Sequence, residues 1–169
     1  PDERSAAARE AMGELLGMDQ PGKRFAAMMS GLDLRYDLGD GHPLLGRRMP
    51  DVDLVTSDGD QRAYGFLHEG RAVLLNFGPP GSLEIGSWRD RVQLVEASHE
   101  SVWELPALGR VPPPRAVLVR PDGHVAWVGD GTATGLAEAL QTWFGPGAIR
   151  RIAWTMPSFD GIKAHGPSL

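Results

Sequence analysis

The side chains best suited to acid–base or metal chemistry are five histidines, which are scattered along the chain: His42, His68, His99, His124 and His165. A metal site needs three or four convergent ligands, and no pair of these histidines has a ligand spacing such as His-x-x-x-His. Each lies in or beside a predicted turn, so we expect them at the surface. A cofactor-free enzyme that uses His99 or His124 is one functional hypothesis, and it ranks third.

Serine and glutamate do not form a catalytic pattern either. The serines in the middle of the chain lack the Gly-x-Ser-x-Gly context of a nucleophile elbow: Ser82, Ser87, Ser98 and Ser101. His99-Glu100-Ser101 is compact, but adjacent residues rarely point toward one centre. Glutamates at a spacing of four residues are typical of a solvated face: Glu96, Glu100 and Glu104. We therefore predict no catalytic residue.

Two glycine-rich segments could bind a nucleotide, but neither has the full pattern. Gly129 and Gly131 follow a predicted strand and precede a predicted helix, but the third glycine is Gly135 instead of residue 134. No second strand–helix unit can follow in the residues that remain. Gly41 and Gly46 are followed by two arginines, where a phosphate-binding loop needs lysine and then serine or threonine. The prediction is a chain without cofactor-binding or metal-binding residues.

Tryptophans offer one further possibility for binding. They could line an aromatic pocket, although tryptophan in a small core is the commoner arrangement: Trp88, Trp103, Trp127 and Trp143.

Composition excludes several classes of function. The chain has 169 residues, the size of one ordinary domain, and it contains no cysteine, so disulfides, thiolate metal sites and dithiol redox exchange are impossible. A net charge of −5 makes nucleic acid and anionic membranes poor partners. No apolar run reaches the roughly 18 residues of a membrane span, and a cytoplasmic location is the default expectation.

The first 40 residues predict a helical hairpin and an extended linker. Residues 1–16 read as a helix with acids near its positive end, and a second helix begins at Pro21. Its apolar residues have the i, i+3, i+4, i+7 spacing of one face: Phe25, Met28, Met29 and Leu32. The two helices need a further surface to cover them. Residues 32–38 alternate in polarity, as an edge strand or a docked linker would, and we place a domain boundary within residues 39–50.

The remaining sequence predicts a mixed sheet with helices packed against it. Strands are expected at residues 51–55, 72–77 and 92–97, with a turn at 57–60 and one or two helical turns at 82–91. The clearest element is a hairpin with strands 116–119 and 125–128, because Pro121, Asp122 and Gly123 between them suit a tight turn. One of the prolines just before it can be cis. Thr134 is expected to cap a last helix, residues 135–144.

Three stretches together resemble one enzyme family. Residues 30–59, with the motifs RAVLLNFG and AVLVRPDGHVAWVG, are similar to the C-terminal part of the FAD-dependent aromatic hydroxylases that modify polyketides and phenols. The resemblance implies an α/β, thioredoxin-like domain with a mixed sheet and flanking helices. It also implies that Pro114 is the cis-proline of that fold. The loop Gly78-Pro79-Pro80-Gly81 would then lie where a redox thioredoxin carries its cysteines.

The resemblance divides the chain into three parts and orders the functional hypotheses. Residues 1–40 would be the helical hairpin and linker, residues 41–146 the thioredoxin-like domain, and residues 147–169 a C-terminal tail. The family's flavin-binding motifs have no counterpart here, which implies that FAD is bound upstream, by the body of a parent enzyme. The leading hypothesis is thus a non-catalytic C-terminal segment whose partner is that body or its own copies. The alternative is a stand-alone protein that binds or protects an aromatic natural product.

Overall fold

The computed structural model describes residues 2–18, 22, 25, 28–29, 31, 34–99, 102–105 and 109–147. The predicted tail and most of the second predicted helix lie outside these residues. Helix α1 spans Glu3–Gly17, and the carboxylate of Asp2 caps it by accepting the N–H of Ser5 at 2.8 Å. The predicted apolar face of α1 is exposed, including Met12, Leu15 and Leu16. Gly22, Phe25, Met28 and Met29 are helical, as predicted.

The predicted linker is docked on the sheet domain. Arg35 forms an isolated bridge with Arg47, and the N–H of Tyr36 donates to the carbonyl of Gly46 at 2.9 Å. Gly46 has a φ of 77° and lies so close that a Cβ there would be 2.0 Å from the Tyr36 carbonyl oxygen. Only glycine permits this approach. The N–H of Gly46 in turn donates to Val125, which joins the linker to the sheet.

Six strands form one mixed sheet in the order β2-β1-β4-β3-β7-β8. They are β1 Asp53–Thr56, β2 Gly59–Arg62, β3 Ala72–Asn76, β4 Val92–Ser98, β7 Ala116–Val119 and β8 Val125–Gly129. Strands β3 and β4 are parallel and the other pairs antiparallel. A separate hairpin pairs β5 Trp103–Leu105 with β6 Gly109–Val111. Short 3-10 helices span Ala63–Leu67 and Gly86–Trp88, and α2 spans Leu136–Phe144.

The apolar strand β3 separates two core clusters, because its side chains alternate between the faces of the sheet. Val73 and Leu75 belong to one cluster, which the β5–β6 hairpin covers with Trp103 and Val111. Leu74 belongs to the other, which α2 covers with Leu136 and Leu140. The guanidinium of Arg91 donates to the carbonyls of Phe144 and Pro146 and so holds the end of α2. This arrangement fits a thioredoxin-like α/β fold, as predicted.

Three local predictions are wrong. The turn after β1 is shorter than residues 57–60, because β2 already begins at Gly59. Pro114 is trans, since no cis peptide bond occurs in the described residues. The chain enters β7 in extended form, with the N–H of Arg115 donating to the carbonyl of Gly129 and the carbonyl of Arg115 accepting from the N–H of Phe77.

Thr134 does not cap α2, although the sequence predicts that it does. The N-cap is Gly135, with a φ of 76°, and the hydroxyl of Thr134 bonds to Thr132 instead.

Candidate functional site

A polar network lies at the carboxyl ends of the parallel strands β3 and β4, where the resemblance places a redox centre. Asn76 is 2% exposed, and its Nδ2 is surrounded by Oε2 of Glu96 at 2.7 Å, Oγ of Ser82 at 3.0 Å and the carbonyl of Pro79 at 3.1 Å. Oδ1 of Asn76 accepts the N–H of Gly78 at 3.0 Å. The second oxygen of Glu96 accepts the N–H of Gly81 at 3.0 Å.

This network holds the Gly-Pro-Pro-Gly loop. Two backbone N–H groups of the loop and one of its carbonyls are bonded to Asn76 or Glu96, so the loop is fixed at both ends. The loop carries no thiol, and Ser82 is engaged by Asn76. The arrangement can position the loop, and without a thiol it cannot carry out dithiol exchange.

The prediction of a solvated glutamate face is wrong for Glu96, which is half-buried in this network. Glu100 and the side chain of Glu104 lie outside the described residues. Sequence reasoning also missed Asn76. The available signal was an asparagine at the end of the apolar run AVLLN, directly before the loop.

An aromatic cluster lies beside the loop. The rings of Phe77 and His99 have centroids 5.0 Å apart, and those of His99 and Trp103 are 5.4 Å apart, both in edge-to-face geometry. Trp103 is 1% exposed and belongs to the core. His99 is thus a half-buried member of an aromatic cluster, and it is not the exposed histidine that the sequence predicts.

His124 is buried, which contradicts the prediction of a surface histidine. It is 5% exposed, and neither ring nitrogen has a hydrogen-bond partner in the described part of the chain. Its ring contacts Tyr36 edge-on, with centroids 4.9 Å apart. The reason for the burial is the docked linker, which places Tyr36 over the hairpin.

A stacked arginine connects the linker, the hairpin and α2. The guanidinium of Arg120 lies 5.2 Å from the ring centroid of Tyr36 and 4.3 Å from that of Trp143. It also forms an ion pair with Asp122. Partial burial would raise the pKa of Asp122, but the His124 N–H and the Arg120 charge outweigh it and hold that pKa below its ordinary value.

The other candidate residues do not converge on a site. Nε2 of His42 is 2.9 Å from the carbonyl of Pro112, and His68 is exposed. Ser87 and Ser98 are exposed, whereas Ser101 and His165 lie outside the described residues. Within the described ranges, no group of three or more histidine, aspartate or glutamate side chains could hold a metal ion. The described helices likewise include none that is long and apolar enough to cross a membrane.

The glycine-rich turn after β8 does not fit a dinucleotide. The indole nitrogen of Trp127 donates to the carbonyl of Thr134 at 3.0 Å, and this indole packs against Gly135 at the start of α2. A Cβ at Gly131 would meet the Arg115 side chain at 3.0 Å. The space that a pyrophosphate would need at this helix N-terminus is therefore filled by side chains.

The tryptophans do not form a common pocket among the described residues. Trp103 belongs to one core cluster, while Trp127 belongs to the other, against which Trp88 and Trp143 pack. The indole of Trp88 is used to bond the carbonyl of Gly145 at 2.9 Å. Core packing, the commoner arrangement for tryptophan, is what the structure shows.

The fold and the loop define a class of protein: a small mixed α/β domain that fits a thioredoxin-like fold and carries a hydrogen-bonded Gly-Pro-Pro-Gly loop at the carboxyl ends of its parallel strands. Comparison with known proteins makes this specific. The protein-family model described as "Aromatic-ring hydroxylase, C-terminal" matches residues 42–147. The chain therefore belongs to the aromatic-ring hydroxylase C-terminal family.

Several of its relatives are monooxygenases. The 12-dehydrotetracycline 5-monooxygenase/anhydrotetracycline 6-monooxygenase of Streptomyces rimosus is 42% identical over 153 residues, covering 88% of this chain and 30% of the relative. A rifampicin monooxygenase of Streptomyces venezuelae is 38% identical over 140 residues, which cover 82% of this chain and 26% of the relative. The solved structure of OxyS anhydrotetracycline hydroxylase from Streptomyces rimosus superposes with a TM-score of 0.69 at 40% identity, covering 88% and 30%. The chain thus spans less than a third of the length of these relatives.

Proposed function

We propose that this chain is the C-terminal, non-catalytic segment of an FAD-dependent aromatic hydroxylase of the polyketide-modifying or phenol-modifying type. The flavin and the substrate are bound upstream, and this segment supports the body of the enzyme or a contact between its subunits. The proposal is supported by the family, by the share of each relative that the chain covers, and by a loop at the ends of β3 and β4 that carries no thiol. A cytoplasmic location belongs to the proposal and fits a chain without cysteines.

One observation carries the supporting role: the large apolar side chains of the N-terminal residues are exposed. Their exposed fractions run from 38% to 72%: Met12, Leu15, Leu16, Met18, Phe25, Met28 and Met29. A monomeric soluble protein rarely leaves so many large apolar side chains in one region uncovered. These residues precede the segment that the family model matches, so the proposed body of the parent enzyme is the surface that covers them.

The proposal is tested by the mass and colour of the protein in its own cells. An antibody raised against the 169-residue chain should capture a species much larger than 18.2 kDa that carries bound flavin. The purified 169-residue chain, titrated with FAD, should show no saturable change in flavin fluorescence. A colourless 18.2 kDa species from the cells, or stoichiometric flavin on the isolated chain, would overturn the proposal.

A further inference from the structure

A shallow cavity of about 220 Å³ opens beside the turn of the β7–β8 hairpin, on a part of the domain away from the Gly-Pro-Pro-Gly loop. It is lined by Arg48, Tyr64, Leu67, His68, Pro121, Asp122 and Gly123. Gly123 forms part of its wall, and a Cβ at that position would approach the hydroxyl of Tyr64 at 3.9 Å. The positive φ of 84° at Gly123 keeps the turn tight against the 3-10 helix Ala63–Leu67.

Arg48 lines the cavity, and its charge has no partner in the part of the chain that the structure describes. Arg48 makes no side-chain hydrogen bond or ion pair within the described residues, although its charge acts on the hydroxyl of Tyr64. The one carboxylate in the lining, Asp122, is already occupied, because it accepts the N–H of His124 at 3.1 Å and pairs with Arg120. The charge left to attract a ligand is therefore positive.

The remaining walls are apolar or weakly polar. Leu67, Pro121 and Tyr64 line the open space, and the Tyr64 hydroxyl donates to the carbonyl of Met49 at 2.7 Å. That hydroxyl can still accept a hydrogen bond, but it cannot offer its proton to a ligand. A guanidinium binds a carboxylate through two parallel hydrogen bonds, and the apolar walls suit a ring attached to that carboxylate.

We propose that this cavity binds a small aromatic carboxylate, with the carboxylate on Arg48 and the ring between Tyr64, Leu67 and Pro121. The volume supports one ring, because pockets for larger, drug-sized ligands measure roughly 300–1,000 Å³. A polycyclic substrate does not fit. The proposal rests on residues of this chain alone and not on the proposed function.

The test is a titration of the 169-residue chain with benzoate, followed by amide NMR. Benzoate should shift the amides of residues 48, 64, 67 and 123 and saturate with a Kd of about 1 mM or tighter. Benzamide, which has the same ring and no charge, should bind at least about tenfold more weakly. Acetate, which has the charge and no ring, should also bind more weakly.

Variants identify the residue responsible. Arg48→Gln should weaken benzoate binding at least about tenfold, and Arg48→Lys should lose part of the affinity because the fork geometry is lost. Arg110→Gln removes the same charge from exposed strand β6 and should leave the affinity unchanged. Arg48 is exposed, so its variants keep the fold, which the spectrum itself verifies. No localised shifts with benzoate, equal binding of benzamide, or an unaffected Arg48→Gln variant would each overturn the proposal.

Discussion

Asn76 and Glu96 are register partners on the parallel strands β3 and β4, and Nδ2 of Asn76 lies 2.7 Å from Oε2 of Glu96. Through the other atoms of the same two side chains, the network reaches the N–H groups of Gly78 and Gly81. A buried amide and a half-buried carboxylate at the end of the parallel pair thus both bond to the backbone of the Gly-Pro-Pro-Gly loop.

Replacing Asn76 with alanine should lower the free energy of unfolding by about 2–3 kcal/mol. The change leaves Glu96 and the N–H of Gly78 without their buried partner, and an unsatisfied buried group costs more than a hydrogen bond contributes. Urea unfolding measures the effect. Glu96→Gln keeps an oxygen for Gly81 but places its own N–H donors against Nδ2 of Asn76, so it should also cost about 2 kcal/mol. Wild-type stability in Asn76→Ala would show that the network does not hold the loop.

Gly46→Ala should detach the linker. The new Cβ would lie 2.0 Å from the Tyr36 carbonyl oxygen, so the linker has to move. Hydrogen exchange at the Tyr36 amide should become faster, and stability should fall by about 2–4 kcal/mol from strain and lost contacts.

The matched control for this change is Gly70→Ala. Gly70 has a similar φ of 67° but nothing within 4 Å of its Cβ position. Gly70→Ala should therefore lower the free energy of unfolding by about 1 kcal/mol, from backbone strain alone. Hydrogen exchange at the Tyr36 amide should stay as slow as in the wild type. If the two variants behave alike, the close approach of Gly46 to Tyr36 is unimportant.

Arg120→Lys should weaken the connection between linker and α2 while keeping a charge near Asp122. Lysine lacks the planar guanidinium that stacks on Tyr36 and Trp143, so we expect a loss of about 1 kcal/mol and altered tryptophan fluorescence. In a double-mutant cycle with Trp143→Leu the effects should be less than additive, with a coupling of about 0.5–1 kcal/mol. Strict additivity would argue against the stack.

Asp122→Asn should make stability less sensitive to acid. The pKa of this carboxyl is lowered in the folded chain, so the unfolded chain binds the extra proton first. The carboxylate contributes its full share of the free energy of unfolding when the pH is above the pKa of aspartate in the unfolded chain, about 3.9. This contribution is lost as the pH falls through the lower pKa of the folded chain. It should be less than about 1 kcal/mol, because the side chain is 43% exposed.

Unfolding curves at about pH 3 and pH 6 measure this difference. Asp58→Asn, at an exposed turn position, serves as the control and should leave the acid dependence of the wild type in place. The same acid sensitivity in Asp122→Asn as in the wild type would contradict the prediction.

We expect the isolated chain to self-associate through its uncovered N-terminal apolar side chains, and Met28→Glu with Met29→Glu should weaken that association. These side chains are 59% and 72% exposed, and charge prevents the burial of apolar surface between copies. Sedimentation over a range of concentrations gives the association constant, which should fall at least about tenfold. Val102→Glu changes a side chain that is 61% exposed on another part of the chain and should have little effect. If Val102→Glu lowers the association constant as much as the two methionine changes do, the N-terminal side chains are not the cause of the association.

Local chemistry determined much of this protein. Turn residues at Pro121 and Gly123 specify the β7–β8 hairpin. The spacing of apolar residues specifies the fully buried strand β3 and the apolar face of α2. Both signals act between residues that are close in sequence. The absence of cysteine excluded thiol redox chemistry without any structure.

Tertiary structure alone decided what the polar residues do. Asn76 meets Glu96 only because β3 and β4 pair in one register, and nothing within either segment specifies that pairing. His124 looked like a turn histidine until the linker placed Tyr36 over it. Thr134 had the right side chain for a helix cap, but Gly135 is the N-cap of α2, and the carbonyl of Thr134 accepts the indole N–H of Trp127. In each case a contact with a residue outside the local motif outweighed the local preference. Burial and hydrogen bonding at such a contact involve more free energy than the intrinsic preference of a residue for a turn or a helix.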